Sequence, residues 1–96
     1  MQKRLTSAGI QPLSTLKKFT LHGTAVGSEQ SIQLDEISIL AEPDTLRELG
    51  VFLINAAHEM SANGLEHVHL QDLIENFSPQ EHVDVIALNQ TLIKPA

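Results

Sequence analysis

Apolar residues recur at helical spacing in only one long stretch, Glu42 to Gly64. Leu46, Leu49, Gly50, Leu53, Ala56, Ala57 and Met60 follow one another at intervals of three and four, which marks one face of a helix. Pro43 suits a first helical turn, where its missing N–H costs nothing. Glu42 and Asp44 place negative charge at the positive end of the helix dipole. Asn63-Gly64 is a stop signal, because glycine accepts the left-handed cap. Opposite the apolar stripe, Glu48, Asn55 and Glu59 form a narrow polar strip, with Val51 and Phe52 on its flanks. A helix that covers one sheet in a monomer should show a wider polar face. The extra apolar flank predicts a second contact through Val51, Phe52 and Asn55, and with it a homodimer.

The other segments read as strands. From Thr15 to Val26 the pattern alternates, with Lys17, Phe19 and Leu21 on one side and Lys18, Thr20 and His22 on the other. Val26-Gly27-Ser28-Glu29 is a turn signal. Gln30 to Leu40 then reads as a return strand whose phase slips, since Ile32 and Leu34 are even-numbered and Ile37 and Ile39 odd-numbered. A bulge at Asp35-Glu36, or a break between two strands, would account for the slip. Leu65–Gln71 is predicted as a third strand, with Val68 and Leu70 toward the helix and His67 and His69 away from it. Residues 72–81 form a connection, and Val83–Leu88, rich in β-formers, is the last strand. The expected fold is α+β in the order ββαββ: a four-stranded, mainly antiparallel sheet with one long helix on one face. The uncovered sheet face would carry His67, His69, Lys18 and Thr20. Residues 13–92 are expected to make one domain, between a loose arm at 1–12 and a tail at 93–96.

Composition narrows the function. Among 96 residues there is no cysteine, so disulfides and thiolate metal sites are excluded. No apolar run is long enough to span a membrane. The basic start Met1–Leu5 has no apolar stretch behind it, unlike a secretory signal, and the expected compartment is the cytoplasm. Net charge is −6, and four of the six basic residues lie in the first 18 positions. The remaining body is acidic. That argues against a nucleic-acid partner, which needs clustered Lys and Arg, and suits a basic protein partner.

Candidate chemistry is sparse. His67 and His69, two apart on a strand, project to the same side and could form half of a metal site; His22, His58 or His82 would have to supply a third ligand from elsewhere. The alternative for the pair is a partner-contacting surface. No serine sits in a nucleophile elbow, no glycine-rich phosphate loop is present, and Asp35-Glu36 point to opposite faces. No catalytic residues and no cofactor are expected.

The segment Ile37–Leu70 resembles an immunity-protein family of polymorphic toxin systems, small bacterial proteins. The features shared are a strand leading into the helix Pro43-Asp44-Thr45-Leu46-Arg47, and the following Glu66-His67-Val68-His69-Leu70. The resemblance covers about a third of the chain. It implies stoichiometric binding and inhibition of a toxin, without turnover. The expectation is therefore a non-enzymatic interaction module, with a small metal-binding protein or metal-dependent enzyme built on His67 and His69 as the alternative.

Overall fold

The computed structural model describes residues 12–93. The predicted arm falls outside the described residues except for Pro12, and the predicted tail except for Ile93. The chain divides into two compact units, one ending at Ile39 and the other starting at Leu40.

The first unit is a β-hairpin. Strand β1 (Leu21–Gly23) pairs antiparallel with β2 (Ile32–Leu34), in the register Leu21 with Leu34, His22 with Gln33 and Gly23 with Ile32. Gly23 leaves room for the Leu34 side chain: a Cβ there would stand 3.1 Å from Cδ1 of Leu34. The connection turns at Gly27, whose φ of 84° is costly for any residue with a side chain. The Ser28 N–H donates to the Ala25 carbonyl at 2.9 Å and closes the turn.

The second unit holds the helix. α1 (Pro43–Asn63) begins with proline in its first turn and ends at Gly64, whose φ of 66° is left-handed and whose N–H donates to the Met60 carbonyl. Against it packs a second hairpin. Strand β3 (His67–His69) pairs antiparallel with β4 (Ile86–Leu88), with Val68 opposite Ala87. Two backbone bonds extend the ladder: Leu70 N–H to the Val85 carbonyl and Asn89 N–H to the Glu66 carbonyl, each 2.8 Å. A short 3-10 turn, Leu70–Leu73, follows β3 directly.

Three expectations are corrected. Among the described residues the architecture is α+β with four strands and one α-helix, but the strands form two separate two-stranded sheets. Lys18 and Thr20 therefore share no sheet face with His67 and His69. The pattern along 15–26 and 30–40 signals apolar alternation, yet only three residues of each segment pair; alternation alone does not supply a partner for every backbone group. At Asp35 the chain bends and residues 36–40 run on without strand pairing, so the phase slip is an end of strand with no second strand behind it.

The third correction concerns which side of α1 is covered. Phe52 and Ala56 are buried, at 5% and 3% exposure, and Leu49, Gly50 and Met60 are half-buried. Leu46 and Leu53, placed by periodicity at the centre of the core stripe, are exposed. The covered arc is rotated toward Phe52 and the polar strip. A hairpin of three-residue strands covers only a narrow arc. Placing that arc over the one aromatic ring on the helix removes the most apolar area from water.

Candidate functional site

Val51, Phe52, Asn55, His67 and His69 all lie in the second unit, on two surfaces, while His22 lies in the first. The outer face of the β3–β4 hairpin carries His67 and His69. Their positions opposite Leu88 and Ile86 put those two side chains on the same face; His67 is exposed and His69 half-buried. The two imidazoles meet edge to face, with centroids 5.3 Å apart. His69 is held by Asp84, whose Oδ2 lies 2.8 Å from Nδ1, while Asp84 Oδ1 accepts the Gln71 N–H at 2.8 Å. Asp84 thus joins the histidine, the segment leading into β4 and the turn after β3. Burial pushes the Asp84 carboxyl up. The hydrogen bonds from His69 and from the Gln71 N–H, together with the charge of His69, outweigh burial, and the group titrates below the usual aspartate value. Its role escaped the sequence reading, although an aspartate amid β-formers in Val83–Leu88 was the signal: aspartate is depleted from strands unless something there needs it.

The metal expectation on His67 and His69 meets a geometric limit. Among the described residues, no three His, Asp or Glu side chains converge where an ion could be held. Asp84 already occupies Nδ1 of His69.

The second surface is a groove between α1 and the segment that follows β3. A cleft of about 260 Å³ lies over Phe52 and Ala56, walled by Leu65, Val68 and Leu73 and edged by Asn55 and Glu59. Beside it, a cleft of about 560 Å³ runs along Thr45, Glu48, Leu49, Val51, Phe52 and Asn55 of the helix. Its other wall is Leu70, Leu73, Ile74, Glu81 and His82. Phe52, Asn55 and Leu73 belong to both clefts. Leu73 stands in the wall with 64% of its surface exposed. The far wall is braced locally: Phe77 stacks on His82 at 5.7 Å, and His82 Nδ1 accepts the Ser78 N–H at 3.0 Å. Of the helix residues expected to face a partner, Val51 and Asn55 are exposed along this groove. Phe52 is buried and lines both clefts. The periodicity pointed to these helix residues. It could not reveal the groove, because the opposite wall comes from residues 70–82, which lack any repeat.

The same span of sequence carries a family signature. Residues 36–89, more than half of the 96, match the family described as Immunity protein 32. The chain belongs to that family. The matched span runs from the end of the first unit through α1, β3 and β4, and so contains both surfaces. No curated protein and no solved structure matches the chain. Among the described residues, no helix is long and apolar enough to cross a membrane.

Proposed function

We propose that this member of the Immunity protein 32 family binds a toxin stoichiometrically and neutralises it without turnover. What carries the reading is the coincidence of the family match at 36–89 with the unit that holds α1, β3 and β4. An acidic body suits encounter with a basic partner. The residues proposed to meet the toxin are Val51, Phe52 and Asn55 at the groove and His67 and His69 on the hairpin. The cytoplasm is the proposed compartment, and residues 13–92 the functional domain. The test is affinity capture from the native cell followed by co-expression with the captured toxin. Protection of the host, together with a one-to-one complex on a sizing column, is expected. Protection without a complex, or no protection, would overturn the reading.

A homodimer is a second proposal, supported by the side of α1 that the hairpin leaves open. Leu46, Leu53, Ile54 and Ala57 follow helical spacing there and are exposed, Ile54 at 69%. Because Phe52 is buried, the discriminating variant is Ile54→Asp. It should halve the mass seen by light scattering while the helical circular dichroism is kept. A parent protein already monomeric at tens of micromolar would end the proposal.

A further inference from the structure

The groove beside α1 has an apolar floor and a one-sign rim. Phe52 and Leu73 give it two anchoring surfaces, and hot spots of protein interfaces favour such desolvated apolar pockets. Around them stand Glu48, Glu59 and Glu81, with His82 the remaining titratable group of the lining. Among the described residues, no lysine or arginine lines either cleft. Between Phe19 and Ile93 the chain's sole basic side chain other than histidine is Arg47, and its guanidinium is bonded to Asp44. Among the described residues, the rim carboxylates therefore have no lysine or arginine of their own in the groove.

This combination selects among occupants. An apolar segment alone would bury the floor but strip water from the carboxylates without replacing it, which costs free energy. An acidic segment would add like-charge repulsion. A second copy entering the groove with its own α1 unit would bring another acidic surface and meet the same objection. A segment presenting an apolar side chain between cationic ones satisfies both features at once.

We propose that the groove receives a segment of the toxin in which an apolar side chain is flanked by lysine or arginine. The apolar group enters over Phe52 beside Leu73, and the flanking cations pair with Glu48 and Glu81. The inference rests on the toxin-neutralising reading, and its test separates the two.

The probe is a short capped peptide of alternating lysine and leucine, titrated into the full-length isotope-labelled protein and followed by amide shifts. Controls are the glutamate–leucine and the lysine–serine peptides. The lysine–leucine peptide should move the amides around Asn55 and Leu73 and bind more weakly as salt is raised. Both controls should bind at least about tenfold more weakly. Equal binding of the glutamate–leucine peptide, shifts mapping elsewhere, or no shifts would overturn the proposal. Glu48→Lys with Glu81→Lys should abolish the peptide shifts while circular dichroism stays unchanged, since both side chains are exposed. Leu73→Asp, a separate variant on the wall, should do the same without adding positive charge. In co-expression, loss of protection by the charge-reversed variant supports the groove. Undiminished protection by it overturns the groove and leaves the immunity reading standing. A parent that does not protect overturns the immunity reading, and the toxin segment with it, whatever the peptides do.

Discussion

The two hairpins of this protein are built alike and situated differently. Each pairs two strands of three residues in antiparallel register. The β3–β4 hairpin lies against a helix, over Phe52 and Ala56, and side chains tie its ends: His69 to Asp84, Asp84 to the Gln71 backbone, and Asn89 Nδ2 to the Leu65 carbonyl at 3.1 Å. In the β1–β2 unit no described residue is buried, and Phe19 is 60% exposed. An isolated two-stranded hairpin is marginal in water, and burial against a helix is what makes one persist. The family match begins at Glu36, just before the better-packed unit. What separates the two hairpins is thus the presence of a cover, more than strand length or propensity.

The strongest challenge to this contrast is Phe52→Ala. It removes the ring at the centre of the second unit and should destabilise it by about 3 kcal/mol, read as a lowered urea midpoint. A loss below about 0.5 kcal/mol would mean that the helix–hairpin contact contributes little. Next comes the Asp84 tie. Its carboxyl titrates below the ordinary aspartate value, so its stabilisation is present above the unfolded-state pKa of about 3.9 and is lost as pH falls through the lower folded value. Asp84→Asn should cost about 1.5 kcal/mol at pH 7. Denaturation repeated at decreasing pH should show the parent converging on the variant below about pH 4; parallel curves would mean the tie is idle.

Gly64→Ala should cost about 1 kcal/mol, because the left-handed cap at φ 66° disfavours a side chain. The expected signal is a lower melting temperature with more rapid amide exchange in the last turn of α1. The smallest effect sharpens the contrast from the other side. Phe19→Ala should change stability by less than about 0.5 kcal/mol. A cost near that of Phe52→Ala would show that Phe19 is covered in solution and that the first unit has a core after all.

Much of the second unit was legible beforehand. Pro43 and Gly64 bounded the helix correctly, since both act through local backbone geometry. Val68 was placed toward the helix and lines the same cleft as Phe52, because period-two alternation is also local. Less was legible where a partner had to be chosen. Leu46 and Leu53 have the right spacing for a core and are exposed; Phe52 was placed beside the polar strip and is buried. Asp84 lies 15 positions from the histidine it holds. Nothing in the spacing of Val83–Leu88 says which residue it will meet.

The chain by itself determined where the helix starts and stops, which residues favour strands, the acidic balance of the body and the kinship to immunity proteins. These depend on neighbours in sequence or on composition. Tertiary structure alone decided that the strands divide into two sheets, that Phe52 and not Leu53 lies under the hairpin, and that Glu48 and Glu81 stand across one groove. Those outcomes depend on which surfaces remove the most apolar area from water together, a property of pairs of segments that no single segment carries.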